Sequence, residues 1–303
     1  MLWARARVRH LANHELRTRL AEVRRQTPES ETWLGLLEAA LAESENGAPW
    51  AAADVEPAAD RSVKAPALYR ARISLDGRAA GRWVSRAAAL ATTLPRLRLG
   101  RGEALALLEA AVGQDDPRLD AIAAARGADP PALRVVAQLA ALPLLLSLGA
   151  RFRTPGPDAW WEGYCPVCGA WPALAEFRGL ERKRWLRCGR CGGGWEIPWL
   201  RCPFCGETHH DHLGYLAPEG DEQTRRIEVC RTCQGYLKAV TTVRPLAPWA
   251  VPLEDAATLP LDVAALDRGY RRPERPGHPL EARVTERPRS LFGIRLTLRR
   301  RDP

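Results

Sequence analysis

Apolar residues recur at three- and four-residue spacing through residues 1–150, in a background of Ala, Leu, Arg and Glu, all good helix formers. Leu34, Leu37 and Leu41 fall on one helical face and Glu31, Glu38 and Glu45 on another, and the pattern stops at Asn46-Gly47, before Pro49. Later helices are predicted over 101–112, 116–126 and 131–148, divided by Gly113-Gln114 and by Gly127-Ala128-Asp129-Pro130, with Pro143 a kink in the last. Residues 49–81 are rich in Ala and Pro and weakly periodic, which predicts loop or loosely packed helix. The most apolar stretch, 132–150, is interrupted by Arg134, Gln138 and Pro143, so it reads as a buried helix rather than a membrane span.

At Thr154-Pro155-Gly156-Pro157 the pattern changes. Six of the eleven Trp lie between Trp160 and Trp199, and Trp195, Ile197 and Trp199 alternate with Glu196 and Pro198 as in a half-buried strand. Prolines at 248, 252 and 260 break up the stretch 246–270, which ends in a short helix around 261–266. From Arg268 onward there are eleven Arg against four acids, which predicts a flexible basic extension. The expected organisation is α+β: an all-helical N-terminal domain over 1–153, two small β modules over 158–200 and 201–272, and an Arg-rich tail over 273–303.

Cysteine placement gives those modules their chemistry. All eight Cys fall in Cys-x-x-Cys pairs, Cys165/Cys168, Cys188/Cys191, Cys202/Cys205 and Cys230/Cys233, and none precedes residue 165. Such a turn converges two sulfurs on one ion, and two turns complete a tetrahedral S4 shell, so four turns make two sites. Cys165-Pro166-Val167-Cys168-Gly169 and Cys202-Pro203-Phe204-Cys205-Gly206 share one form, each followed after a hairpin-sized spacer by a plainer pair. This is the spacing of zinc ribbons and rubredoxin-like modules. Sequential pairing assigns Cys165, Cys168, Cys188 and Cys191 to one metal and Cys202, Cys205, Cys230 and Cys233 to the other; an interleaved, cross-braced pairing is the alternative. Tetrahedral thiolate suits both zinc and iron. The opening Met1-Leu2-Trp3-Ala4-Arg5-Ala6-Arg7 lacks the apolar core of a secretory signal, so the expected compartment is cytoplasmic and reducing, where metal is favoured over disulfides.

Charge and the remaining polar clusters add less. Of the net +9, +7 belongs to residues 268–303, and two S4 sites holding divalent ions would leave the rest near −2. His209, His210, Asp211 and His212 follow a knuckle, but with both S4 shells complete they read as a solvated hairpin edge. Arg182, Lys183, Arg184, Arg187, Arg190 and Arg201 read either as compensation for anionic thiolate sites or, with Trp185, as a nucleic-acid face. Paired carboxylates, a Gly-rich phosphate loop and a nucleophile elbow are all missing, so nothing in the sequence argues for an enzyme.

The motifs resemble the FdhE family of formate dehydrogenase accessory proteins. The resemblance rests on Tyr164-Cys165-Pro166-Val167-Cys168-Gly169, Leu186-Arg187-Cys188 with Trp195 beyond Cys191, Cys202-Pro203-Phe204-Cys205-Gly206, and Cys230 to Cys233 running into Gly235-Tyr236-Leu237-Lys238. It continues through Asp255-Ala256-Ala257-Thr258-Leu259-Pro260-Leu261-Asp262 and Gly269-Tyr270, covering about 160–272. It implies a cytoplasmic, non-catalytic maturation factor with two rubredoxin-like iron- or zinc-binding modules, whose partner is the catalytic subunit of a formate dehydrogenase before export. Trp199, where that family would have Arg, and the basic tail depart from it. Two other functions stay open: an iron electron carrier serving the same maturation, and, with less support, a nucleic-acid-binding zinc ribbon.

Overall fold

A computed structural model describes residues 2–60, 62–92, 94, 97, 99–152, 160–218, 220 and 223–288. The N-terminal half runs α1 (Leu2–Gln26), α2 (Glu31–Asn46), α3 (Ala48–Ala51), β1 (Asp54–Glu56), β2 (Arg72–Leu75), α4 (Gly77–Leu90), α5 (Arg101–Gly113), α6 (Asp116–Ala125) and α7 (Pro130–Gly149). The helices start on side-chain caps where the sequence supplies Asp: Asp76 accepts from Arg78 and Ala79 N–H, Asp115 from Arg118 N–H and Asp129 from Ala132 N–H. Helix α2 ends at Gly47, whose φ of 55° belongs to the left-handed region that glycine adopts freely.

Helix α7 is the axis of this half. It is the only helix among the described residues apolar and long enough to cross a membrane, yet 67% of its most apolar window is buried inside the protein. Helices α2, α4, α5 and α6 pack around it, and Trp83 of α4 donates its indole N–H to the Ala140 carbonyl at 2.7 Å. Residues 49–81, expected to be irregular, instead supply the hairpin of β1 and β2, because Ala71, Ile73 and Leu75 point into the core.

The second half runs β3 (Leu174–Arg178), β4 (Lys183–Arg187), β5 (Gly194–Glu196), β6 (Leu213–Leu216), β7 (Arg225–Cys230), β8 (Tyr236–Thr242), α8 (Ala250–Ala257), α9 (Leu259–Leu266) and β9 (Arg283–Glu286). The two hairpin modules, read as consecutive units, share one six-stranded sheet ordered β5-β4-β3-β8-β7-β6. They fuse where β3 runs parallel to β8, with Leu174 opposite Lys238 and Arg178 opposite Thr242. Glu176 seals that seam. Fully buried, it accepts from Arg178, Arg187, the Thr242 hydroxyl at 2.8 Å and the Leu246 N–H at 2.7 Å.

One expectation is corrected. The basic extension placed at 273–303 is ordered through 288: β9 pairs in parallel with β2, making a sheet β1-β2-β9 inside the helical half. Leu280 is fully buried, Arg70 N–H donates to its carbonyl, and Glu109 of α5 accepts the Val284 N–H at 2.9 Å. Composition pointed the other way, since the Arg excess at 268–272 and 289–301 makes the whole stretch look basic, while Leu280, Ala282 and Val284 sit in a charge-balanced segment between. Residues 289–303 and the expected boundary at 154–157 lie outside the described residues. One buried cluster runs from Leu16 through the first four cysteines to Val284, so the halves share a core.

Two outcomes follow. Leu280→Ala should cost about 2–5 kcal/mol, read as a lowered denaturation midpoint. Burial raises the Glu176 carboxyl pKa, but Arg187, Arg178 and the Leu246 N–H outweigh it and hold the group below its usual value. Its stabilisation is therefore present above the unfolded carboxyl pKa of about 4.3 and is lost as pH falls through the lower folded value. The acid limb of a stability profile should flatten in Glu176→Gln.

Candidate metal centres

Each cysteine pair sits in a tight turn whose backbone is already committed. Gly169 N–H donates to the Cys165 carbonyl, Gly192 to Cys188 and Gly206 to Cys202, with φ of 67°, 70° and 79° at these glycines. The turns bring the sulfurs together as Cys165, Cys168, Cys188 and Cys191 in one group and Cys202, Cys205, Cys230 and Cys233 in the other. This is the sequential arrangement; the interleaved one is not formed.

The sulfur spacing fits a tetrahedral ion. Cys165 Sγ lies 3.5 Å from Cys191 Sγ and Cys168 Sγ 3.4 Å from Cys188 Sγ; in the second group both measured pairs, Cys202 with Cys233 and Cys205 with Cys230, are 3.7 Å apart. A disulfide needs about 2.05 Å, whereas metal–sulfur bonds of about 2.3 Å at tetrahedral angles give an S···S edge of roughly 3.8 Å. Each group can hold one metal ion. Without a cation the packed thiols are in conflict: burial and the neighbouring sulfurs push the Cys165 thiol far up, while hydrogen bonds from the other three hold Cys188 far down.

The groups differ in their surroundings. The inner one is at most 1% exposed at every cysteine. Backbone from the N-terminal half clamps it: Ala67 N–H donates to the Pro166 carbonyl at 2.8 Å, Leu68 N–H to Val167 at 3.0 Å, and Gln114 to Cys168 at 3.3 Å. The last residue of α7, Gly149, lies so near the Cys191 carbonyl that a Cβ would collide with it. The outer group has Cys202 and Cys230 buried but Cys205 and Cys233 exposed, and burial pushes the Cys233 thiol only to about 11.

The other candidates resolve unevenly. Arg184 and Arg187 are turned inward, pairing with Glu228 at 2.7 Å and with Glu176, and Arg190 donates to the Ala111 carbonyl. They neither touch the thiols nor form a continuous basic face. His209, His210 and His212 are exposed, as a solvated edge requires, although they form a short 3₁₀ turn rather than a strand.

Several motif residues form a charge cluster that the sequence motifs alone do not announce. Lys238, only 1% exposed, donates to Asp255 at 2.7 Å and Asp262 at 2.6 Å; the Tyr236 hydroxyl reaches Asp262 at 2.8 Å, and Arg272 reaches both carboxylates at 3.1 Å. Burial works against the Asp255 carboxylate, but Arg272 and Lys238 overcome it and keep its pKa low. Helices α8 and α9 are thus fastened over β8 by charge. The signal was the lysine in an otherwise apolar strand run.

The family model described as "FdhE, C-terminal domain" matches residues 200–276. The chain is 32% identical to the FdhE homolog of Aquifex aeolicus over 122 residues, 39% of this chain and 42% of that protein. It is 40% identical to the Stutzerimonas stutzeri homolog over 112 residues, 36% of this chain and 35% of the relative. The matches thus span less than half the length of these relatives. Among solved structures, that of the FdhE protein from Pseudomonas aeruginosa covers 87% of this chain and 93% of its own at a TM-score of 0.52 and 21% identity, a likeness of fold.

Thiol labelling of metal-free protein under native conditions should modify Cys205 and Cys233 first, with Cys165, Cys168, Cys188 and Cys191 reacting only on unfolding. Mass mapping of the labelled peptides checks this order.

Proposed function

We propose that the chain, whose residues 200–276 match the FdhE C-terminal domain, is an accessory factor for formate dehydrogenase, without catalytic activity of its own, acting in the cytoplasm. It binds the catalytic subunit of that enzyme before export and presents its two cysteine modules as one rigid platform. The observation that carries this reading is the coincidence of the family match with the outer, partly exposed cysteine group and its surroundings.

Cys165, Cys168, Cys188 and Cys191 hold one metal ion and Cys202, Cys205, Cys230 and Cys233 the other. Bound there, zinc would cross-link the turns without an open coordination position, and iron would add a one-electron couple. The residues around the outer group suit docking. A groove of about 220 Å³ opens beside Cys202 and Cys230, lined by Trp199, Leu200, Pro203, Phe204 and Tyr215. Trp199 and Tyr215 are 49% and 62% exposed while Arg226 stacks within 6 Å of both rings, an arrangement common at protein interfaces. The shared sheet keeps this groove fixed relative to the inner group.

A second reading is that the outer group carries iron and transfers electrons during the same maturation; the exposure of Cys205 and Cys233, which brings a partner close, favours it. A nucleic-acid role gains nothing, because Arg184 and Arg187, themselves buried, are spent on Glu228 and on the fully buried Glu176.

Deletion of the gene should abolish formate oxidation, and the tagged protein should capture the catalytic subunit. Cys165→Ser with Cys168→Ser should lose both metal and maturation, whereas Trp199→Ala with Tyr215→Ala should keep the metal and lose capture. Intact formate oxidation in the deletion strain overturns the proposal. Anaerobically purified protein that is zinc-filled, colourless and still supports maturation rules out electron transfer.

A further inference from the structure

We propose that His209, His210 and Asp211 form a divalent-metal site of two imidazoles and one carboxylate, on the rim of the outer cysteine group and separate from it. One donor atom from each of the three lies within 4.8 Å of the others. His210 Nε2 is 3.2 Å from one Asp211 carboxylate oxygen and His209 Nδ1 is 3.7 Å from the other. The two imidazoles stack with centroids 5.1 Å apart and planes 20° apart, and to share an ion the rings turn about their side-chain torsions until their in-plane nitrogen lone pairs converge. Two nitrogens and one oxygen suit zinc, cobalt or nickel rather than calcium or magnesium, and three protein ligands leave coordination positions to water.

The loop carrying these side chains is already held in place. Glu207 accepts from the Thr232 hydroxyl at 2.6 Å, from Thr208 and His209 N–H at 2.9 Å each, and contacts His212 Nδ1 at 2.9 Å. Arg231 donates its N–H to the His212 carbonyl at 2.8 Å and its guanidinium to the Asp211 carbonyl at 3.3 Å. Backbone ordering is therefore supplied by Glu207, Arg231 and Thr232, while His209, His210 and Asp211 are left free in solvent to bind. Thr232 lies between Cys230 and Cys233 and Glu207 two residues after Cys205, so the site borders the exposed half of the outer group. It is placed to capture an ion where the cysteines open to solvent. This site does not depend on the formate dehydrogenase reading.

The test uses the full chain reconstituted with zinc in both cysteine groups, freed of excess metal and titrated calorimetrically with zinc. One further equivalent is expected. His209→Ala with His210→Ala should abolish it while the cysteine-bound zinc, measured by elemental analysis, stays. Asp211→Asn, which keeps both imidazoles and the backbone contacts of Glu207, should weaken it by about tenfold or more. No further equivalent in the parent protein, or unaltered uptake in the double histidine variant, overturns the proposal.

Discussion

Four sulfurs packed 3.4–3.5 Å apart across their measured pairs, in an interior closed to water, are the constraint around which this protein is built. Neutral thiols gain little from such crowding, and thiolates cannot tolerate it without a cation. The backbone that holds the sulfurs there comes from both halves of the chain. Ala67 and Leu68 bond the first knuckle from one side, and His278 N–H bonds the Gly169 carbonyl from the other. The inner group is therefore a joint rather than an appendage, and the energy of filling it stabilises the helical half as well as the β half.

The outer group is connected to this joint through hydrogen bonds and charge. Parallel pairing of β3 with β8 merges the two hairpin modules, and Glu176 spans the seam with every oxygen satisfied. On the next strand, Lys238, Asp255, Asp262 and Arg272 neutralise one another under helices α8 and α9. Removing an aspartate would leave the Lys238 ammonium, 1% exposed, short of a partner, a larger penalty than the pair's net worth.

Much of this was readable in the sequence, for identifiable reasons. Helices α5, α6 and α7 lie within a residue or two of where apolar spacing and the Gly and Pro breaks put them, because local propensity and tertiary packing agree there. Sequential sulfur grouping followed from spacer lengths that suit hairpins. What stayed hidden was non-local. β1, β2 and β9 are three or four residues long, too short for a period of two to be seen, and each depends on a partner far along the chain. The fusion of the two modules likewise lives in the β3–β8 register, which no local pattern reports. Net charge misled most: pooled over 268–303 it is +7, although 273–288 itself holds three Arg against three Glu, and that pooling hid Leu280, Ala282 and Val284, which are buried.

The parallel ladder between β2 and β9 also sets an order of events during synthesis. Ser74 and Thr285 face each other across 211 residues of chain. While the ribosome extends those residues, the helical half emerges first with one edge of β2 unpaired, a template open to any passing strand. Its sheet closes only when β9 has left the exit tunnel, after both cysteine groups have emerged. Completion of the N-terminal fold is thereby a late signal that the whole metal-binding region has been made.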